Sequence, residues 1–441
     1  MITVQNHVAA ELLARMAEAR EASDALFRIV RPDSLYCRPI PERHRIIFYI
    51  GHLEAFDWNL LHESPLNLKT QNADFDRLFA FGIDPVGTGL PDDQPSDWPA
   101  LEAVRDYVAQ VRATLDGKLP DAIDANIPGR DGFSLATLLN VAVEHRLMHV
   151  ETLAYMLHQL PLAAKVPQPD RACSALSAFV PRMIEIPSGI AHLGLRRDSE
   201  EFGWDNEFVA HAVNVPAFEI DRYKVTNGQF LEFMAAGGYE RRELWSEDAW
   251  NWRNTSGISS PVFWKKIGEQ WFYQTMFEEI RLPVDWPVYV SQAEASAYAN
   301  WAGKSLPTEA EWHRAAYSGP DGGERRYPWG DESPAPERGN FDLQRWNPAP
   351  VNAFPSGKSA FGVEDMIGNG WEWTSTAFAP FPGFMPFPFY PGYSANFFDG
   401  KHFVMKGGSP RTAACMTRPT FRNWFQAHYQ YVYAGFRCVR R

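Results

Sequence analysis

The segment PLAAKVPQPDRACSA, residues 161–175, carries three prolines and no hydrophobic periodicity. Proline fixes φ and removes a backbone donor, so neither a helix nor a central strand runs through such a stretch. The chain is therefore expected to fold as two bodies, and its character does change across this break. The expected organisation is a helical domain over 1–165, a linker over 166–177 and a second domain over 178–441.

Upstream of the break, apolar residues recur at helical spacing. Candidate helices cover 8–30, 43–62, 98–116 and 134–160, the last opened by Ser134. Four helices joined by loops predict a bundle, and bundles build metal sites from side chains projecting inward from facing helices. Within the fourth helix, VEHRLMHVETLAYML at 143–157 sets His145 and His149 one turn apart on one face. A lone histidine pair in a helix is more often structural than ligating. The same spacing can nevertheless aim two nitrogens at one divalent metal. A zinc protease would place its glutamate base directly after the first histidine; Arg146 stands there, so that activity is disfavoured and a metal site is not.

A third ligand is then required. His52 lies in the apolar phrase FYIGHLEAF, where an unpartnered imidazole is costly to bury; metal ligation or a hydrogen bond removes the cost. His44, among charged residues, reads as a solvated surface residue.

Downstream the style is different. The chain holds 16 Trp, 16 Tyr and 30 Phe, crowded into its second half among proline and glycine turns. This predicts irregular, loop-heavy structure held by large aromatic side chains. Short strands are expected in FVPRMIEIPSGIAHLG, HFVMKGGSP and YAGFRCVRR, and Thr308 with Glu311 reads as a helix-capping box. Cys37, Cys173, Cys415 and Cys438 are too few and too scattered for a disulfide framework or a CxxC zinc site. The formal charge of -12 argues against nucleic acid or an anionic membrane as partner. No apolar run suffices to span a bilayer and the start lacks a signal-peptide layout, so a cytoplasmic enzyme of small molecules is expected, its oligomeric state unspecified.

The phrases IPSGIAHLG, YKVTNGQF, WAGKSLPTEAEWHRAA, YPWGD, MIGNGWEWT, VMKGGSP and GFRCVR resemble the formylglycine-generating-enzyme/sulfatase-modifying-factor variant of the C-type lectin fold. The resemblance implies an α+β chain, a DinB-like four-helix bundle followed by a C-type-lectin-like domain. Formylglycine generation itself would need paired copper-binding cysteines near the C-terminus, and Cys415 has no such neighbour. Joined to a bundle carrying HxxxHxE, the fold is instead similar to the EgtB/OvoA/SenA family of non-heme iron sulfoxide and selenoxide synthases. That resemblance implies Fe(II) held by His52, His145 and His149, with Glu151 either orienting a ligand or standing as a solvated carboxylate. It implies hercynine, a chalcogen donor and dioxygen as substrates, and a lectin-like domain supplying the substrate pocket. It also admits a structural Ca(II), for which no ligands are assigned.

Within the family, RNWF at 422–425 resembles an RNWD segment whose Asn and Trp face hercynine and whose Asp holds the amino group of gamma-glutamylcysteine. Asn423 and Trp424 are kept, while Phe425 removes the counter-charge. Residues 78–104 contain no Lys or Arg to hold a dipeptide's carboxylates, and FGIDP within them looks more like OvoA, whose extra methyltransferase domain this chain has no room for. The resemblance thus points most to the selenoneine synthase SenA and a neutral selenosugar; an EgtB-type enzyme using cysteine or gamma-glutamylcysteine is the alternative. The family's pocket tyrosine falls in FPGFMPFPFYPGYSANFF, where Phe384 is the best-matching position and Tyr393 the nearby candidate for the proton donor, with Tyr390 reading as packing. Arg418 and Arg422 read either as partners of the hercynine carboxylate or as structural ion pairs, and Trp371 and Trp373 as core. Two rival classes stay open: a lectin-like binding module with structural histidines, and an oxygen-independent zinc thiol transferase using the same triad.

Overall fold

The computed structural model of the chain describes residues 2–80, 91–171, 173–174 and 180–441, with the side chains of 2–9 left aside. The FGIDP phrase and part of the expected linker lie outside the described residues. Two compact units separate at Gln168 and Pro169.

The first unit is helical. Its long helices are α1 (Ile2–Arg28), α2 (Ile46–Leu61), α4 (Leu101–Asp124) and α5 (Leu135–His158), with a short α3 (Ala73–Leu78) that the apolar pattern does not announce. Six residues are too few to show a helical period; α3 is set instead by the cap in which Asn72 accepts from the Phe75 N–H at 3.1 Å. Helix α4 runs past the expected end at 116 to Asp124, carrying Pro120 inside it. Helices α2 and α5 are buried almost all round, polar residues included, whereas α4 buries a single stripe from Val104 to Ala122. The two buried helices are the ones that carry the histidines.

The second unit is built from short elements. In chain order these are β1 (Met183–Ile186), β2 (Gly189–Leu193), β3 (His211–Val215), β4 (Phe218–Asp221), α6 (Asn227–Ala235), α7 (Glu247–Ser256), β5 (Trp264–Ile267), β6 (Gln270–Gln274) and β7 (Glu279–Arg281). They continue with α8 (Gln292–Trp301), α9 (Glu309–Tyr317), β8 (Trp371–Ala377), β9 (His402–Lys406), β10 (Asn423–Gln426), β11 (Ala434–Gly435) and β12 (Val439–Arg440). Among the described residues the largest sheet has the order β10-β9-β8-β11, so β10 is an edge strand. The main core gathers Ile186, Phe218, Ile220, Trp312, Phe341 and Met366 between α9 and the β1–β4–β12 sheet.

Capping and tight turns explain the motif phrases. Thr308 accepts from the Glu311 N–H at 3.2 Å while Glu311 accepts from the Thr308 N–H at 2.7 Å, closing the expected capping box of α9. In MIGNGWEW, Gly370 has φ +128° and a Cβ there would stand 2.6 Å from the Tyr289 ring, so only glycine fits. Trp371 and Trp373 are core residues, 2% and 0% exposed. Around Glu372, also buried, Trp312 Nε1 donates at 2.9 Å and Arg437 at 2.6 and 2.8 Å, which satisfies a carboxylate that would otherwise be costly to bury.

Candidate metal centre

Helices α2 and α5 bring His52, His145 and His149 to one point. His52 Nε2 lies 3.2 Å from His149 Nε2, which lies 3.1 Å from His145 Nε2. One ligand atom from each of the three falls within 4.8 Å of the others, and among the described residues no other group of His, Cys, Asp or Glu does this. All three side chains are buried.

The surroundings determine how each ring presents itself. His52 Nδ1 donates to the Phe79 carbonyl at 2.7 Å, which fixes the proton on Nδ1 and leaves the Nε2 lone pair free to ligate. That carbonyl belongs to the end of α3, and Gly51 makes the approach possible: a Cβ at 51 would stand 2.6 Å from the Phe79 ring. The His145 ring is stacked on Phe56, with centroids 3.4 Å apart, and the His52 ring on Phe48 at 4.8 Å. Burial pulls the pKa of His52 down to about 4, against the opposing pull of the Phe79 hydrogen bond. Burial first, and neighbouring charge second, hold His145 and His149 well below the ordinary 6.5. Three neutral imidazoles with converging nitrogens are a poor hydrogen-bonding arrangement and a good donor set for a borderline divalent metal. The residues present therefore fit a mononuclear metal.

Three readings of polar residues in this unit change. His44 is half-buried against Phe48, 4.3 Å between centroids, and is not a solvated surface residue. Glu151 is 6% exposed, so it is not a solvated carboxylate. Arg146, read only as the residue that breaks the protease motif, is 1% exposed and paired with Glu54 and Asp57.

In the second unit, Trp424 of β10 stacks on Phe378 at 4.2 Å and meets Tyr393 edge-on at 5.3 Å and Phe397 at 5.7 Å. Tyr393 is 7% exposed and stacks on Trp204 at 4.0 Å. Phe425 stacks on Tyr429 at 4.9 Å, and Phe384 meets Phe398 edge-on at 5.0 Å. Strand alternation puts Asn423 and Phe425 on one face of β10 and Trp424 on the other. Arg418 pairs with Glu207, and Arg422 with Glu309 at 2.9 Å while lying over the Phe381 ring at 4.0 Å, so both arginines are structural ion pairs.

The functional residues missed from sequence are Phe79, which acts through a backbone carbonyl, and Gly51, whose place in mid-helix was the available signal.

The profile of the sulfatase-modifying factor enzyme 1-like domain matches residues 171–441, and that of the DinB superfamily matches 15–153. The chain is 41% identical over 340 residues to the hercynine oxygenase of Mycobacterium tuberculosis, covering 76% of each. It is 37% identical over 402 residues to that of Mycolicibacterium smegmatis, covering 88% of each. To the ergothioneine biosynthesis protein 1 of Neurospora crassa it is 28% identical over 505 residues, covering 95% of this chain and 56% of that one. No helix among the described residues is long and apolar enough to cross a membrane. With this identity carried over three quarters of both chains, this protein belongs to the hercynine oxygenase, or EgtB-type, family of enzymes.

Proposed function

We propose that the protein is an iron(II)- and dioxygen-dependent synthase that joins a chalcogen to the imidazole ring carbon of hercynine with oxygenation of the chalcogen, its donor a neutral selenosugar. The observation that carries the metal reading is the convergence of His52, His145 and His149 on one point. His52, His145 and His149 would hold the iron, which when bound would supply the activation of dioxygen. The relatives' names support hercynine as one substrate.

The chain's own residues take the other roles. His52 is held in its ligating tautomer by the Phe79 carbonyl. Trp424, with Phe378 and Phe397 beside it, offers aromatic faces to a trimethylammonium group, while Asn423, on the other face of β10 with Phe425, offers an amide to the chalcogen donor. Tyr393 is the candidate proton donor, with Phe384 and Phe425 supplying apolar wall.

The choice of a neutral donor has support beyond Phe425. Arg38 and Arg45 come to the residue 78–104 stretch from outside it, but both are spent on Asp93: Arg45 Nε donates to Asp93 Oδ2 at 2.9 Å and Arg38 pairs with Oδ1. A dicarboxylate would have to displace these pairs. The second reading, an ergothioneine-type enzyme using cysteine or gamma-glutamylcysteine, is favoured by the relatives named for ergothioneine biosynthesis.

The test is an anaerobic, iron-loaded assay with hercynine, offering cysteine, gamma-glutamylcysteine and a selenosugar in separate vessels, with mass detection after admitting air. The selenosugar should give the new adduct. Preferential turnover of the dipeptide refutes the choice of donor, and no oxygen-dependent adduct from any donor refutes the chemistry.

A further inference from the structure

Behind the imidazoles, the helical unit buries a network of ion pairs that the ligand geometry does not require. Arg146 directly follows His145 in α5, about 100° further round the helix. Its guanidinium donates through Nη1 to Glu54 Oε1 at 2.9 Å, and through Nη2 to Asp57 Oδ2 at 2.7 Å and the Leu53 carbonyl at 3.1 Å. All three acceptors lie on the stretch of α2 that directly follows His52. Arg146 Nη1 also reaches Ser23 Oγ of α1 at 3.3 Å. From α4, Arg112 donates to the same Glu54 oxygen at 2.7 and 2.9 Å and to both oxygens of Asp24 of α1, at 2.7 and 2.8 Å. Glu54 of α2 thus joins α5 and α4 directly, and α1 is tied to the same network through Arg112 and Arg146.

Stability does not account for this arrangement. Removing charges from water offsets most of what their pairing gains, and an apolar cluster of the same volume commonly packs as well or better. A planar guanidinium with fixed acceptors on a neighbouring helix supplies something an apolar contact does not, namely register. A slip of α5 along α2 by one residue, about 1.5 Å, would break all three bonds. The same slip would part the nitrogens of His52 and His149, now 3.2 Å apart.

We propose that Arg146 is a positioning residue for the metal centre: seated on Glu54, Asp57 and the Leu53 carbonyl, it sets the register of α5 on α2 and so the spacing of His52 from His145 and His149. This inference rests on the metal reading above.

The test uses the full chain and Co(II) as probe under argon, with the visible ligand-field spectrum and the Kd from chelator competition as readouts. Arg146→Lys keeps the charge but loses the fork; it should bind Co(II) about tenfold more weakly with displaced absorption bands. Asp57→Asn keeps an acceptor while altering the fork's seat, and should shift the bands in the same sense by less. Asp116→Asn, which breaks the Arg20–Asp116 pair at a side chain 58% exposed, should change neither. A role limited to stability would lower the melting temperature and leave the spectrum of the folded protein as in wild type; that result, or wild-type affinity in Arg146→Lys, overturns the proposal. If Arg146→Lys does not fold, Asp57→Asn decides on the same two readouts. A wild-type protein that takes up no stoichiometric Co(II) overturns the metal reading and this inference together, whereas unchanged variants of a metal-binding protein overturn only the positioning role.

Discussion

Adding the metal should stabilise the helical unit by an amount that can be worked out in advance. A ligand that binds only the folded state stabilises it by about 2.7 kcal/mol at a hundred times its Kd. The unit that holds the triad spans Met1–Gln168. For a cooperative unit of that size each kcal/mol moves the midpoint by roughly 2–4 °C, so saturating Fe(II) under argon should raise the transition by about 5–11 °C. Far-ultraviolet circular dichroism reports this unit preferentially, because its four long helices carry most of the helical signal. In His52→Ala two ligands remain one turn apart on α5, and the shift should fall below about 2 °C. The apo variant will itself start lower: it opens a cavity and leaves the Phe79 carbonyl without its donor, a loss of about 1–3 kcal/mol. The comparison is therefore between shifts and not between midpoints. A wild-type protein with no shift at millimolar Fe(II), or a His52→Ala variant with the wild-type shift, would refute the argument that the three nitrogens act together.

Other expected outcomes follow from single contacts. Gly51→Ala should improve helix propensity yet weaken metal binding about tenfold, because the added methyl forces the Phe79 ring, and with it the carbonyl that orients His52, to move; wild-type affinity by chelator competition would count against this. Phe425→Asp should increase the use of amine-bearing thiols relative to neutral donors, read as the ratio of kcat/KM values in a competition assay, and an unchanged ratio would remove Phe425 from the pocket. Burial raises the pKa of Asp205 from 3.8 to about 6, with the Ser394 hydroxyl opposing it. The folded state then binds the extra proton between those values, so stability falls as pH rises through that window. Asp205→Asn should accordingly be more stable than wild type by about 2–4 kcal/mol at pH near 8 and converge with it below about pH 3, in paired denaturant titrations.

How much of this was legible in the sequence depends on whether a residue acts through its side chain's own chemistry or through its place. His145 and His149 announce themselves by spacing, and His52 by the apolar company that makes an unpartnered imidazole expensive. Thr308 and Glu311 are local enough for their capping box to be read directly. The Phe79 carbonyl has no such signature, since every residue carries one and only α3 aims this one at His52. Arg146, Glu54 and Asp57 look like solvent positions in a one-dimensional pattern; their pairing joins residues 92 and 89 apart in the chain, a separation no helical period reports. His44 was misjudged for the related reason that it lies just before α2, in the segment whose path sets its ring against Phe48, so its charged sequence neighbours say little about what the ring touches.

The RNWF segment carries the same lesson into the proposed chemistry. Four consecutive residues read as one recognition phrase, yet β10 is extended and alternates: Trp424 lies opposite Val404, while Asn423 and Phe425 lie opposite Met405 and Phe403 on the other face. Trp424 is surrounded by Phe378, Tyr393 and Phe397, and Phe425 by Tyr429. A single flat substrate cannot lie against both faces of β10 at once. Under the proposed reading the two substrates divide the segment, the alkylammonium going to the Trp424 side and the chalcogen donor to the Phe425 side. Trp424→Leu should then raise KM for hercynine, by roughly 3–30-fold for the loss of about 0.5–2 kcal/mol of cation–π attraction, without altering donor preference. Phe425→Asp should do the reverse, and the double variant should show the two effects multiplied. A strong departure from additivity would mean that both side chains read the same substrate, and that the strand's alternation does not partition the pocket.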